Sequence, residues 1–170
     1  MMSTILNRWP WFAFLASALL LAGAHAFETF GHYPPCTLCL RQREVHWAVL
    51  AIAAAGAAIG FTPVAPRAYR WVCLALLAAF AYSTYMGAFH AGVEWHWWPG
   101  PTTCASTHGS THVSADDMNA ILHGGHINGP ACDQALWHFL GISMAGWNAL
   151  ISLKLTVFSG LAAWRGRAAG

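Results

Sequence analysis

Four apolar runs divide the chain, over residues of about 9–27, 45–61, 69–89 and 145–164, with polar stretches between them. Each approaches the roughly 20 residues that cross a hydrocarbon core of about 30 Å as a helix. Backbone groups in lipid find no water, so a spanning segment must satisfy them internally, and a helix does. The second run is the shortest and very rich in Ala; it fits with little tilt. The first has a rival reading: Arg8, an apolar run and Ala24-His25-Ala26 resemble a cleavable signal segment. That run is long for such a segment and carries Trp9, Trp11, Phe12 and Phe14.

Positive charge sets the orientation of the runs. Arg8, Arg67, Arg70, Arg165 and Arg167 all fall on one side, which is therefore cytoplasmic; only Arg41 and Arg43 fall on the other. Both termini are then inside, and residues of about 28–44 and 90–144 form two outer loops. The predicted fold class is all-α, an integral membrane four-helix bundle with two extracytoplasmic cysteine-bearing loops, in a single membrane domain over residues 1–170. Within the second loop, Trp95 to Pro101 reads as an interfacial turn. Ser114, Asp116 and Asp117 read as the start of a short helix reaching about Leu122, whose Met118, Ile121 and Leu122 rest on the membrane surface. Gly124-Gly125 and Asn128-Gly129-Pro130 break it.

Composition agrees with lipid as the solvent. Apolar residues make up 57% and charged residues 8%, against about 25% charged in a soluble domain. Ten Trp suit membrane–water interfaces. A net charge of +2 with no Lys/Arg run gives no footing for nucleic acid. Lys154, near the middle of the fourth run, is the costly exception; it either faces the bundle or marks a helix that sits higher in the bilayer.

Chemistry enters with the cysteines. Of five, only Cys73 lies inside a predicted span, where it is a buried inert thiol. Cys36 and Cys39 form a C-x-x-C in the first outer loop, and Cys104 and Cys132 lie in the second. Outer faces are where disulfides form and persist. Structural staples are one reading, and fit Cys104 and Cys132 better than the closely spaced pair. A four-cysteine zinc site is another, though it usually brings a second close pair. The C-x-x-C spacing is the usual redox arrangement. Pro34-Pro35 stiffen its approach, and Arg41, Arg43 and a nearby helix N-terminus favour a thiolate, with Cys39 as the expected site. A dithiol at this depth needs an acceptor. Neither a nucleotide-binding glycine motif nor a C-x-x-C-H haem motif is present, whereas a lipid-soluble quinone diffuses in the bilayer. Arg43 is placed to hydrogen-bond a quinone oxygen; the alternative for it is a headgroup-binding, snorkelling arginine.

Three segments carry a resemblance: Pro35-Cys36-Thr-Leu-Cys39-Leu-Arg-Gln-Arg43, Trp98-Pro-Gly-Pro-Thr-Thr-Cys104, and Cys132-Asp-x-x-x-Trp137-x-Phe139-Leu-Gly-Ile-Ser-Met144. Together they resemble the disulfide-bond-formation protein B (DsbB) family over nearly the whole chain. The resemblance implies a bacterial inner-membrane oxidase that renews a periplasmic thioredoxin-like oxidant of the DsbA type and passes electrons to ubiquinone or menaquinone. By motif position, Cys104 would form a mixed disulfide with the partner, and Cys132 would be released to attack Cys36. Cys39 would be the thiolate facing the quinone with Arg43 beside it, and His90 is similar in place to a residue lining the quinone pocket.

Other classes make different demands. His25, His46, His90 and His138 lie near outer helix ends, and paired imidazoles on facing helices suit a haem-binding electron carrier; the outer cysteines would then be idle. His108, His112, His123 and His126 are clustered enough to bind a metal weakly. A loop-stapled structural protein would keep every outer cysteine oxidised whatever the quinone supply. The vitamin K epoxide reductase type also joins four helices, loop cysteines and a quinone, but there the C-x-x-C comes late, and here it comes first.

Overall fold

The computed structural model describes residues 2–61, 65–101, 104, 119, 122–123 and 131–168. Helix α1 (Met2–Asn7) leads at once into α2 (Trp9–Thr29), followed by α3 (Thr37–Ile59) and α4 (Ala65–Glu94). A two-strand antiparallel hairpin of β1 (His138–Phe139) and β2 (Ile142–Ser143) then feeds α5 (Met144–Ala168). The hairpin pairs His138 with Ser143 and Phe139 with Ile142. Its corner, Leu140-Gly141, takes positive φ at both residues (53° and 77°), the two-residue turn that matches strand twist.

The element ends have local causes. Pro10 in the first turn of α2 gives up no helical hydrogen bond. Helix α3 begins at Thr37, well before the apolar run at about 45, because Cys36 caps it: its Sγ accepts the backbone N–H of Cys39. The C-x-x-C therefore lies on the cap and first turn of a helix rather than in a free loop, and Arg41 and Arg43 ride on that helix. Helix α4 likewise runs past the predicted end at about 89 and carries His90 and Glu94.

The four long helices pack side by side, α4 most extensively against α5, with α3 against both α2 and α4. Gly87 permits the α4–α5 contact, since a Cβ there would stand 2.9 Å from the Ala149 backbone nitrogen and 3.0 Å from the Ala145 carbonyl oxygen. Small residues at such crossings let helices meet closely where no hydrophobic drive acts between them. One end of the helical core is apolar, with Trp9, Ala13, Val49, Cys73, Leu76 and Phe80 buried together. Farther along, the interior turns polar: Ser17, Gln42, His46, Ser83, His90 and Ser152 are all buried. Leu15, Leu19, Trp47, Trp71 and Leu153 face outward instead. An exposed apolar mantle of this extent marks an interaction surface, here a lipid one.

Among the described residues, two helices, Trp9–Thr29 and the Ala68–Glu94 part of α4, are long and apolar enough to cross a membrane. Helices α3 and α5 have 23 and 25 residues but carry more polar side chains. Lys154 is exposed on α5 and does not face the helical core. Cys73 is a free, buried thiol. The short helix expected from Ser114 onward falls almost wholly outside the described residues, as do His108, His112 and His126.

Candidate functional site

Both cysteine pairs meet beside the start of α3. Cys36, Cys104 and Cys132 are buried in one cluster with Leu38 and Val93, and Cys39 packs against it. Cys104 and Cys132 are joined in a disulfide, while Cys36 and Cys39 are free. That bond removes two ligands from any four-cysteine zinc set.

The free pair is unequal. The Cys36 thiol donates to the Cys39 sulfur at 2.9 Å. This hydrogen bond is the largest influence on both groups: it holds the Cys39 thiol below its ordinary range, against the opposing effect of burial, and pushes Cys36 upward. The charge of Arg43 favours the Cys39 thiolate too, as a lesser cause. Hydrogen bonding to the charged form is the general route to a lowered pKa, and it assigns the thiolate to Cys39.

Arg43 stands one helical turn after Cys39. Its guanidinium is mostly buried, pairs with the Glu28 carboxylate and donates to the Ala24 carbonyl at 3.0 Å. It therefore ties the start of α3 to the C-terminal part of α2. Glu28, not singled out from the sequence, fixes where Arg43 points.

His90 reaches over from α4. Its Nε2 lies 3.6 Å from Cys36 Sγ and 3.7 Å from Glu94 Oε1, and its Nδ1 lies 2.8 Å from Gln42 Nε2. The hydroxyl of Ser143 donates to the Glu94 carboxylate. His46, also buried, is held at both ring nitrogens, by Ser17 at 3.2 Å and by Asn148 at 2.9 Å. That leaves it engaged rather than free to ligate a haem. His25 and His138 are exposed. Cys36, Cys39 and His90 have ligand atoms within 4.8 Å of one another, a soft donor set of the kind zinc accepts.

A cavity of about 390 Å³ opens onto these groups. Leu20, Gly23, Ala24 and Phe27 of α2 give it an apolar wall, and Cys39, Arg43 and His90 line its polar end. Trp137 and Phe139 stack with ring centres 6.0 Å apart, and Phe27 meets Trp137 edge-on at 4.9 Å, so an aromatic band borders the same space. The structure thus gathers Cys36, Cys39, Arg43 and His90 around one cavity, with the Cys104–Cys132 bond in the adjoining cluster. Sequence reasoning missed Glu28, Gln42, Glu94 and Asn148. The buried stripe of α3, Leu38, Gln42, His46, Val49 and Ala53, has the helical spacing that marks Gln42 and His46 as inward-facing.

A helical protein with membrane-capable segments, a dithiol and a neighbouring disulfide belongs to the class of membrane thiol–disulfide oxidoreductases. The family model for the disulfide bond formation protein DsbB matches residues 7–162, and the chain belongs to that family. It is 32% identical, over 153 residues, to the disulfide bond formation protein B of Methylococcus capsulatus, covering 89% of this chain and 90% of that one. Family membership makes this a membrane oxidoreductase of disulfide bond formation.

Proposed function

We propose that the protein reoxidises a periplasmic thioredoxin-like oxidant of the DsbA type and delivers the electrons to a membrane quinone. In this reading it is a bacterial inner-membrane four-helix protein, with both termini cytoplasmic and both cysteine pairs on the periplasmic side. The observation that carries it is a dithiol in which Cys36 donates to Cys39, opening onto an apolar-walled cavity with Arg43 at its polar end.

The exchange steps balance as thiol–disulfide chemistry. Starting from two disulfides, a partner thiolate attacks Cys104 and Cys132 leaves as a thiolate. Cys132 attacks Cys36, and Cys39 leaves as a thiolate. The partner's second thiol gives up its proton and attacks the partner sulfur bound to Cys104, which releases the oxidised partner and a Cys104 thiolate. Cys104 then attacks Cys132, and Cys36 leaves. The result is one disulfide, Cys104–Cys132, and one dithiol, Cys36 and Cys39. This is the pairing present in the structure. A quinone held in this cavity would supply the two-electron acceptor, to which Cys36 and Cys39 would give up two electrons and two protons as they return to a disulfide. The chain's own part is to hold the Cys39 thiolate against the cavity, to present the Arg43 guanidinium where negative charge grows, and to keep water out with the aromatic band.

The test uses purified protein, a reduced thioredoxin-like oxidant and a soluble quinone. Cys39→Ser is expected to abolish quinone reduction. Cys104→Ser is expected to block turnover with the partner while leaving quinone binding unchanged. Normal turnover by Cys39→Ser would overturn the assignment of the quinone-facing sulfur.

A further inference from the structure

The buried polar side chains of all four long helices form one connected network, and its hydrogen bonds have a direction. Gln42 Nε2 donates to the Leu38 carbonyl at 3.3 Å and to His90 Nδ1 at 2.8 Å. Because a carbonyl only accepts, the Leu38 oxygen fixes which end of the Gln42 amide is the NH2 group. The other end agrees: Gln42 Oε1 accepts from Asn148 Nδ2 at 2.7 Å. Asn148 Oδ1 in turn accepts from His46 Nε2 at 2.9 Å and from the Ser152 hydroxyl at 3.4 Å. Ser17 donates to His46 Nδ1 at 3.2 Å. Reversing the Gln42 amide would set oxygen against oxygen at Leu38 and at once break the pairing with Asn148.

With Nδ1 of His90 accepting, the ring proton of the neutral imidazole sits on Nε2. The groups around the ring suit that form. Cys36 Sγ and the Glu94 carboxylate lie near Nε2. We infer that Gln42, anchored by Asn148 and His46, is a positioning residue that holds His90 as its Nε2–H form, so that hydrogen bonds run from His90 to Cys36 and from Cys36 to Cys39. Each donor in this series points the same way, and the negative charge collects on the last sulfur. If His90 carried its proton on Nδ1, its Nε2 would accept from Cys36, and Cys39 would lose the hydrogen bond that holds its thiolate. The same Nε2–H faces Cys36 when that sulfur leaves at the end of the exchange, which gives the step a donor.

This deepens the proposed reaction and takes its purpose from it, but the test requires neither quinone nor partner. Among the described residues, the charged and titratable groups facing the site are Cys36, Cys39 and His46 from α3, Glu94 from α4, the Arg43–Glu28 pair between α3 and α2 with His25 beside Glu28, and His138 near Glu94. In reduced, detergent-solubilised protein with ¹⁵N-labelled histidine, ring nitrogen shifts report the His90 tautomer directly. Protonation at Nε2 is expected, and protonation at Nδ1 would overturn the inference. Gln42→Met keeps the length of the side chain and removes its donors. In that variant, the Cys39 alkylation rate followed against pH by mass spectrometry should show a thiolate fraction lower by about three- to tenfold below the midpoint, the range one hydrogen bond supplies. Asn148→Leu should shift the profile in the same direction by less. A merely structural Gln42 would lower thermal stability and leave the alkylation profile of Cys39 unmoved, and that result would also overturn the inference.

Discussion

At the scale of single residues, reactivity comes from an asymmetry between two sulfurs of one C-x-x-C. Cys36 donates and Cys39 accepts, so Cys39 is the sulfur on which a thiolate is favoured. A lowered pKa places the thiolate above that value and removes it below. The rate of the Cys39-dependent step should therefore fall as the solution is acidified through the depressed Cys39 pKa. A pH profile of single-turnover quinone reduction checks this; a rate that rises on acidification contradicts it. Arg43→Ala should raise the KM for quinone, and an unchanged KM would return Arg43 to a purely structural clasp on Glu28 and Ala24. Spacing and charge type marked the four outer cysteines and Arg43 as candidates in the sequence, and the structure brings Cys36, Cys39 and Arg43 to one cavity with Cys104 and Cys132 in the adjoining cluster. Gln42 was not. Its meaning depends on Asn148, 106 positions away, and a sequence does not state the register between two helices.

At the scale of elements, α3 does most of the positioning. Its cap holds Cys36, its first turn holds Cys39, and the next turn holds Gln42 and Arg43. Hydropathy located this helix but placed its start too late, because Arg41, Gln42, Arg43 and Glu44 look like loop. They are helical because Cys36 caps the backbone and Gln42 has an inward partner. Helix α4 is set against α5 by Gly87, which has no room for a side chain. Gly87→Val should separate the pair and cost about 1–3 kcal/mol, as overpacking generally does. The check is thermal unfolding in detergent, where a midpoint equal to that of the native chain would show that α4 and α5 do not need this close approach.

At the scale of the whole molecule, the protein is polar inside near the site and apolar outside. Ser17, Gln42, His46, Ser83 and Ser152 are buried while Leu15, Leu19 and Trp71 are exposed. In water that arrangement would waste apolar surface; in lipid it places each polar group where a partner exists. Composition alone told of lipid, since 8% charged residues cannot clothe a soluble surface. It could not reveal that the interior would be wired through amides and imidazoles. Membrane-impermeant thiol labelling of single-cysteine variants in sealed vesicles should find positions 36 and 104 accessible from the same face. Labelling from opposite faces would break the proposed passage of a disulfide between the pairs.

The central claim is that electrons leave a protein dithiol through Cys36 and Cys39 and arrive on a quinone. Its most direct test is stoichiometry: the protein in lipid vesicles, without oxygen, mixed with a reduced thioredoxin-like oxidant and a quinone. One quinone should be reduced for each disulfide formed in the partner. Partner disulfides that accumulate while the quinone stays oxidised would contradict the claim.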